Sequence, residues 1–385
     1  MIPYGRQSIN ENDKKVVLET LQSPFLTTGP KVDEFEQKLC EYTGAKYAVA
    51  LSSGTAALHV ASLILLKQGD LVLTTPNSFV ATSNSIVYAN AKPVFIDIKE
   101  DGNIDLDKCI QTLEKFQGRI KALYAVHFSG NPVEMEKLKY IKEKFNITIL
   151  EDACHALGAE YLHGKIGNCK FSDITIFSFH PVKHITTAEG GAILTNNEKI
   201  YKKAKILRNH GIVKNSFIHL DMAYDKKGNL NPWYYEMQYL GFNYRISDIQ
   251  CALGISQLSR LDKFVKKRRQ IAQSYDNAFK DSIVKPLYTY NPNSAYHLYV
   301  AKIDFEKLKI TKAELFYKMR ENDIALQLHY IPINKQPFYQ NLGYGNENLP
   351  NMYRYYEEAF SLPIYPDLTE SQQQYVIQKL FEIIN

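Results

Sequence analysis

The stretch that decides the fold is Tyr47-Ala48-Val49-Ala50-Leu51-Ser52-Ser53-Gly54-Thr55-Ala56-Ala57-Leu58. Its first five residues form a short apolar run typical of a buried strand, and residues 55–66 have the length and composition of a helix. An apolar, β-rich run returns at Leu71–Thr75. A strand, a helix and a second strand in this order predict a βα unit within a mostly parallel sheet that is buried on both faces.

The same alternation continues over the first two-thirds of the chain. It predicts further strands at Pro93–Ile98, Lys121–Val126 and Ile147–Leu150, and helices at residues 13–22, 32–42, 79–89, 105–117 and 134–145. Two more runs, Asp173–Phe179 and Gly191–Thr195, predict adjacent strands with the character of a hairpin. Together these segments predict an α/β architecture.

Three later segments have a different character. Residues 211–240 are predicted to form a long polar and aromatic loop, and a loop of that length is usually functional or an interface. Ile246–Lys280 is predicted to form one long helix or two joined ones, and we interpret its run Lys266-Lys267-Arg268-Arg269 as a solvated face. Residues 285–385 mix strand-like and helix-like runs, which predicts a smaller α+β domain.

Composition and charge exclude several classes of protein. The chain has 385 residues, 46 Lys+Arg and 41 Asp+Glu, which gives a formal net charge of +5 and a pI of about 8.6. This surplus is too small for a nucleic-acid-binding surface, so we expect no nucleic-acid partner. With no signal-peptide pattern and no long apolar run, we expect no membrane association. The five scattered cysteines contain no CxxC pair. They favour a reducing cytoplasm and no metal site.

The first candidate for chemistry is the turn at Ser52-Ser53-Gly54-Thr55, where a predicted strand passes into a helix. Free N–H groups and the helix dipole at such a point attract an anion, and Gly54 would let a phosphate approach the backbone. The plainer alternative is that the serines and the threonine only cap the helix.

The second candidate is Asp152, at the carboxyl end of the strand predicted at Ile147–Leu150. An acid in that position points into the crevice where α/β proteins bind ligands. It could pair with a metal, a ribose or a protonated ring nitrogen. Alternatively, Asp152 caps a turn at residues 153–157.

The third candidate is Lys183, which follows an apolar strand and lies among aromatic and hydroxyl residues. Desolvation in such surroundings lowers the pKa of a lysine, as a Schiff-base amine requires. Ser178, at the end of the same strand, could add a hydroxyl to a phosphate site. A surface lysine is the alternative, against which Gly190-Gly191 indicates close backbone or ligand approach. A phosphate cradle, an acid and a buried lysine form the set that pyridoxal phosphate (PLP) needs.

Further runs accompany these three sites in chain order. They are Leu26-Thr27-Thr28-Gly29-Pro30, Glu151-Asp152-Ala153-Cys154-His155-Ala156-Leu157-Gly158, Phe177-Ser178-Phe179-His180, Leu240-Gly241-Phe242-Asn243-Tyr244-Arg245 and Asp248-Ile249-Gln250. With these runs the chain resembles the DegT/StrS-type sugar-nucleotide aminotransferases, which are fold-type I PLP enzymes. The resemblance implies a large PLP-binding domain over residues 1–245, with a mostly parallel sheet between helices, and a smaller α+β domain over residues 246–385.

The resemblance also implies a role for individual residues. Lys183 would form the Schiff base and Asp152 would pair with the pyridinium nitrogen. The remaining cofactor contacts would be Ser178, Gly54 and Thr55 at the phosphate, Asn243 at the phosphate of the neighbouring subunit's cofactor, Phe79 stacked on the ring and His155 beside its phenolic oxygen. Each has a structural alternative, because Phe79 and His155 could belong to the core and Asn243 could anchor a loop.

A finer resemblance, to the pseudaminic acid branch of the family, rests on Phe179-His180-Pro181-Val182-Lys183, Pro232-Trp233-Tyr234-Tyr235-Glu236 and Gln327-Leu328-His329-Tyr330-Ile331-Pro332. It implies a cytoplasmic homodimer with composite active sites, L-glutamate as amino donor and a UDP-4-keto-6-deoxy-N-acetylhexosamine as acceptor. The sugar-nucleotide pocket would contain Arg6, Leu26, Thr27, Thr28, Gly29, Ala56, Ser178, His329 and Tyr330.

Three other functions remain open at this point. A 4-aminotransferase of the bacillosamine or perosamine type would share the cofactor residues, since specificity lies in loop contacts with the sugar. A sugar 3-dehydratase is disfavoured because such relatives carry His where this chain has Lys183. A PLP-bound regulator without transferase activity is disfavoured by the intact set of candidate residues.

Overall fold

The computed structural model describes residues 1–384 of the chain. A seven-stranded sheet lies at its centre, in the order β1-β9-β8-β5-β4-β2-β3. Smaller sheets pair β6 with β7, β10 with β11, and β12 with β13 and β14. The strands are β1 Tyr47–Leu51, β2 Leu71–Thr74, β3 Lys92–Phe95, β4 Ile120–Val126, β5 Thr148–Asp152, β6 Glu160–Tyr161, β7 Gly164–Lys165, β8 Ile174–Ser178, β9 Gly191–Thr195, β10 Ile212–Val213, β11 Glu236–Met237, β12 Lys285–Pro286, β13 Tyr299–Lys302 and β14 Ala359–Leu362.

Helices cover both faces of the central sheet and build most of the remaining chain. Their ends follow local signals: the Asn10 side chain caps the first helix, and Gly44, in the left-handed conformation, ends the second. The helices are α1 Glu11–Leu21, α2 Pro30–Thr43, α3 Gly54–Leu65, α4 Val80–Tyr88, α5 Leu106–Phe116, α6 Met135–Phe145, α7 Glu198–Arg208, α8 Leu220–Ala223, α9 Asp248–Leu258, α10 Leu261–Phe279, α11 Lys312–Glu321, α12 Pro337–Asn341, α13 Pro350–Glu358 and α14 Glu370–Ile384.

Alternate residues of the central strands enter two separate hydrophobic cores. In β1, Ala48 and Ala50 pack into the core that contains α2, while Val49 and Leu51 pack into the core that contains α3. This alternation is what a strand buried on both faces requires, because successive side chains point to opposite sides. Strands β2, β3, β4, β5 and β8 pair in parallel. The predicted α/β fold with a mostly parallel sheet between helices is therefore confirmed.

Strand β9 runs against both of its neighbours, β8 and β1. Gly191 pairs with Ser178 on one side and Leu51 on the other. A Cβ at position 191 would lie 2.6 Å from the backbone nitrogen of Gly54, so only glycine allows the first turn of α3 to approach this closely. The predicted adjacency of the two strands is correct, and it brings Ser178 beside the start of α3.

Helix α10 connects the central sheet to the C-terminal part of the chain. Its first half, including Leu261 and Val265, packs into a core of the central sheet. Its second half, including Tyr275 and Phe279, packs with β13, β14, α11 and α14 in a separate core. The division of the chain after residue 245 stays a prediction.

Two sequence-based interpretations need correction. Arg268, read as part of a solvated run, is only 1 % exposed, because it points inward and donates from one nitrogen to three backbone carbonyls. Residues 211–240 are not one unbroken loop, since they include the short elements β10, α8 and β11. The segment Ile246–Lys280 forms two helices, α9 and α10, which was one of the two predicted alternatives.

Over residues 1–384, none of the helices combines the length and apolar character that crossing a membrane demands.

Replacing Gly191 with alanine tests the packing of β9 against α3. We expect Gly191→Ala to lower the free energy of unfolding by about 1–3 kcal/mol, because the new Cβ overlaps the backbone of Ser53 and Gly54. Gly5→Ala is the matched control, since its Cβ would meet only the Cβ of Val182, at 3.8 Å. Urea denaturation measures both, and equal stability of the two variants would contradict the close approach.

Candidate active site

A cavity of about 540 Å³ opens at the carboxyl ends of the parallel strands. Gly54 enters it after β1, Phe79 after β2, Asp152 at the end of β5 and Lys183 after β8. Residues 327–330, from the C-terminal part of the chain, close the other side. This is the edge at which open α/β sheets bind ligands, because parallel strands all end there. The three candidate sites of the sequence thus meet in one cavity.

Asp152 is a buried carboxylate, 4 % exposed, held by two donors. Its Oδ2 accepts a hydrogen bond of 2.6 Å from the Oγ1 of Thr82, and its Oδ1 accepts one of 3.2 Å from the backbone N–H of Cys154. The Oγ of Ser78 is in turn 2.8 Å from that threonine hydroxyl. Both sequence interpretations therefore hold, since Asp152 caps the following turn and also faces the cavity. Its orientation is fixed before any ligand arrives.

Lys183 lies in the loop after β8 and is partly buried in the cavity wall. Burial lowers the pKa of its amine, the negative charge of Asp152 opposes that shift, and the Arg268 cation adds to it. The Nζ lies 3.4 Å from the Nε2 of His297. At neutral pH a larger fraction of this amine is unprotonated than in an exposed lysine, so it is a better nucleophile and proton acceptor.

The first turn of α3 forms an anion site. Ser53 caps the helix, because its Oγ accepts the N–H of Ala56. The N–H groups of Gly54 and Thr55 have no hydrogen-bond partner within residues 1–384 and lie at the cavity. A Cβ at Gly54 would lie 2.9 Å from the Cβ of Ser178, so glycine keeps that serine in contact with the turn. Two free amides, a hydroxyl and the helix dipole suit a phosphate.

Aromatic side chains build the wall between the two ends of the cavity. The hydroxyl of Tyr330 is 3.0 Å from the Nε2 of His155, and the two rings stack with their centroids 6.0 Å apart. Phe79 is 58 % exposed and faces Tyr330 at 6.3 Å, so it is not a core residue. The predicted placement of these side chains at the cavity is thus met, while their roles toward a cofactor stay predictions.

Four buried histidines surround the lysine. They are His155, His184, His297 and His329, which are each at most 6 % exposed. Burial lowers the pKa of all four, that of His329 to about 3, and the charge of Lys183 adds to the shift in each. They are therefore neutral at pH 7, and the Nδ1 atoms of His155, His184 and His297 are buried without a partner within residues 1–384.

Sequence reasoning missed several residues of the cavity. Thr82 lies in α4, three residues after the predicted cofactor contact Phe79, and this helical spacing could have indicated it. His297 lies just before β13 and offers no sequence signal, because its proximity to Lys183 is a tertiary contact. The other missed residues are Tyr4, Leu58, Ser78, Ala81, Val126, Cys154, His180, Val182, Glu189, Gln327 and Leu328.

Other predicted residues lie outside this cavity. Residues 26–29 are tied to the start of α9, where Asp248 accepts the N–H of Gly29 and donates its own N–H to the carbonyl of Leu26. Arg6 lies 4.0 Å from Asp367 on an exposed surface. The remaining two, Ala56 and Asn243, are respectively buried in α3 and bridged to Asn209.

Comparison with known proteins gives one consistent result. Residues 7–381 match the model of the DegT/DnrJ/EryC1/StrS aminotransferase family. The chain belongs to this family. The UDP-4-amino-4,6-dideoxy-N-acetyl-beta-L-altrosamine transaminase of Campylobacter jejuni subsp. jejuni serotype O:2 is 41% identical to it, over 100% of this chain and 98% of the relative.

Two solved structures share its fold. Helicobacter pylori PseC, described as an aminotransferase involved in the biosynthesis of pseudoaminic acid, has 34% identity and a TM-score of 0.90, over 100% of this chain and 99% of its own. The PLP-form of Spr1654, a putative sugar aminotransferase from Streptococcus pneumoniae, has 27% identity and a TM-score of 0.87, over 100% of both chains. The predicted family, fold and cofactor are confirmed.

The residues at the cavity fit pyridoxal phosphate. The free amides of Gly54 and Thr55 suit its phosphate, and the carboxylate of Asp152 suits a protonated ring nitrogen. The amine of Lys183 has the lowered pKa that bonding to an aldehyde requires. The orphaned Nδ1 of His155, buried beside the same space, is a polar atom that a ring substituent can satisfy.

The buried histidines predict that the cofactor-free chain loses stability in mild acid. Below pH 6.5 these histidines are protonated in the unfolded chain but stay neutral in the folded one. Because the unfolded state binds more protons, the free energy of unfolding falls as the pH falls. For His329, whose pKa burial lowers to about 3, this contribution approaches about 1.4 kcal/mol per pH unit once the pH is well below 6.5. Urea denaturation between pH 7 and 5.5 measures the slope.

The variant His329→Gln isolates one of these protons. Near pH 5.5 we expect its slope to be smaller by roughly 1 kcal/mol per pH unit, because the unfolded histidine is mostly protonated there. Ser361→Ala is the control, because it removes the hydroxyl 2.9 Å from the Nδ1 of His329 and keeps the histidine. An unchanged slope in His329→Gln would contradict a neutral His329 in the folded state.

Proposed function

We propose that the chain transfers the amino group of L-glutamate to C4 of a UDP-4-keto-6-deoxy-N-acetylhexosamine. The product is UDP-4-amino-4,6-dideoxy-N-acetyl-β-L-altrosamine, a precursor of pseudaminic acid. The observation that carries the proposal is the convergence of Lys183, Asp152 and the first turn of α3 on one cavity. Nearly full-length similarity to the Campylobacter jejuni and Helicobacter pylori proteins supports the sugar substrate.

Each residue has a task in this reaction. Bound PLP supplies an electron sink that allows an amino group to leave one carbon and join another. The Nζ of Lys183 accepts a proton from the amino-bearing carbon of the donor and returns one to C4 of the sugar. Asp152, fixed by Thr82, keeps a proton on the ring nitrogen. The amides of Gly54 and Thr55 bind the phosphate, with the Ser178 hydroxyl beside them.

The aromatic wall positions the ring and the substrate. Phe79, which faces Tyr330, would pack against the ring, and His155, hydrogen-bonded to Tyr330, would lie beside the phenolic oxygen. His329 and Tyr330 line the cavity from the C-terminal part and would contact the sugar. In this proposal Ser178 contacts the sugar nucleotide from within the cavity, and the contacts of Arg6, Leu26–Gly29 and Ala56, which lie outside the cavity of a single chain, depend on the dimer described below.

The product identifies the function. Wild type is incubated with PLP, L-glutamate and a panel of C5-epimeric UDP-4-keto-6-deoxy-N-acetylhexosamines, and NMR assigns the configuration at C4. We expect amination of the ketone that yields the β-L-altro product, and no turnover with Lys183→Ala, because the variant lacks the amine that moves the proton. In Lys183→Ala the visible absorbance of the lysine-bound cofactor is also lost.

Two outcomes of this experiment would change the assignment. Amination of only the D-gluco-derived ketone would overturn the altrosamine product and favour the bacillosamine-type reaction within the same family. Normal turnover in Lys183→Ala would overturn the role of the lysine. Lys170→Ala, which changes an exposed lysine outside the cavity, is the matched control and keeps wild-type turnover.

The active form in this proposal is a cytoplasmic homodimer with composite sites. A series of large apolar side chains is exposed between residues 218 and 240, including Trp233 at 75 % and Leu240 at 80 %. Such a patch on a protein of this size is typical of an interface. Asn243 follows it directly and does not line the cavity of its own chain, which suits a contact with the partner's cofactor phosphate. The five unpaired cysteines within residues 1–384 support a reducing compartment.

Mixing two inactive variants tests the composite site. Lys183→Ala and Asn243→Ala each remove one contribution, but a mixed dimer regains one site with both residues intact. After unfolding and refolding an equimolar mixture, we expect about a quarter of the wild-type activity, since half of the dimers are mixed and each has one intact site of two. No recovery above the sum of the separately refolded variants would contradict the sharing of Asn243 between subunits.

A further inference from the structure

The amine of Lys183 has one close polar neighbour that carries no role in the reaction described above. The Nε2 of His297 lies 3.4 Å from its Nζ. His297 is 3 % exposed and lines the cavity. Its ring centroid is 4.3 Å from that of His155, which confines it from the other side. The Nε2 of His297 therefore faces the Nζ of Lys183, the atom that transfers the proton in the proposed reaction.

The backbone that carries His297 is held in a strained conformation. Tyr296 has a φ of 46°, in the left-handed region that non-glycine residues rarely adopt. Such a conformation persists only where the surroundings fix it, and it is concentrated at functional sites. Four hydrogen bonds fix the segment around it. The Nε of Arg269 donates to the carbonyl of Ser294 (2.9 Å), and the N–H of Ala295 donates to the carbonyl of Gly130 (3.0 Å). The carbonyl of Ala295 lies 3.1 Å from the Nε2 of His184, and the N–H of Leu298 donates to the carbonyl of Ser129 (3.2 Å).

Arg268 adds further contacts to the segment that carries His297. One of its terminal nitrogens donates to the carbonyls of Tyr296 (3.2 Å), His297 (3.1 Å) and Ile364 (2.9 Å). The guanidinium is buried and has no carboxylate partner within residues 1–384. Burying a charge without a counter-ion costs free energy, so a buried unpaired guanidinium indicates a specific role for Arg268. Burial lowers the pKa of His297, and the positive charges of Lys183 and Arg268 lower it further.

We propose that His297 is a further catalytic residue, whose neutral Nε2 accepts a hydrogen bond from the Nζ of Lys183 and keeps the freed amine aimed into the cavity. Arg268 is the positioning residue that holds His297 in place. The inference rests on the proposed transamination. A lysine side chain released from a bond is otherwise mobile, and a misplacement of about 1 Å can cost about 100-fold in rate.

A test on the cofactor-free chain reads the contact directly. Lys183 is acetylated with acetic anhydride over a series of pH values, and mass spectrometry of its peptide gives the midpoint. The ionisable groups around the pair are Asp152, Cys154, His155, His184, Arg268, His329 and Tyr330. In His297→Phe we expect the midpoint to shift to lower pH, because the ammonium form loses its acceptor. In His297→Gln, which keeps an acceptor, the midpoint returns toward that of wild type.

The half-reaction with L-glutamate gives a second readout on the holoenzyme. We expect its maximal rate to fall roughly 10-fold to 100-fold in His297→Phe, with little change in the glutamate concentration for half-saturation, and to recover partly in His297→Gln. His163→Phe, an exposed histidine on the β6–β7 turn, is the matched control and reacts like wild type. If His297→Phe does not fold, His297→Asn replaces it, because its shorter amide cannot reach the amine.

The outcomes separate the two proposals. An acetylation midpoint and a half-reaction rate that both stay at wild-type values in a folded His297→Phe would overturn the role of His297. A wild-type protein that binds PLP but does not react with glutamate would overturn the proposed function instead, and the acetylation experiment would still read the contact between the two side chains.

Discussion

The site depends on the parallel pairing of β5 with the strands on either side of it. Val126 of β4 pairs with Asp152, which pairs in turn with Ile176 of β8, so the three strands end at one edge of the sheet. Both faces of the sheet are packed mainly with apolar side chains, and the polar side chains of the cavity come from the ends of the strands and the segments that follow them. A slip of one residue in β5 would turn Asp152 to the opposite face and separate it from Thr82.

This constraint explains how much of the site the sequence could predict. Gly54, Asp152 and Lys183 each follow an apolar run, and strand order then brings them together without further information. Thr82 lies on a helix, where its hydroxyl could equally face solvent. His297 comes from a segment held in place by contacts with distant parts of the chain, so neither periodicity nor spacing indicates it.

Arg268 is a residue whose burial the sequence does not predict. A run of four basic residues on a helix distributes its side chains around the axis at about 100° per residue, so one of them must approach the inner face. Here that face lies between the two cores that α10 joins, and backbone carbonyls replace water around the guanidinium. Charge pattern alone predicts solvation, because it cannot report the carbonyls that a folded chain supplies.

The electrostatics of the cavity follow from this arrangement. Burial lowers the pKa of Lys183 and the guanidinium of Arg268 adds to that shift, while Asp152 provides negative charge where a ring nitrogen would need it. The four histidines add polar atoms without adding charge, since burial keeps them neutral. The cavity thus has an anion site at the first turn of α3 and the proton-accepting amine at Lys183, which separates holding a phosphate from the proton transfer.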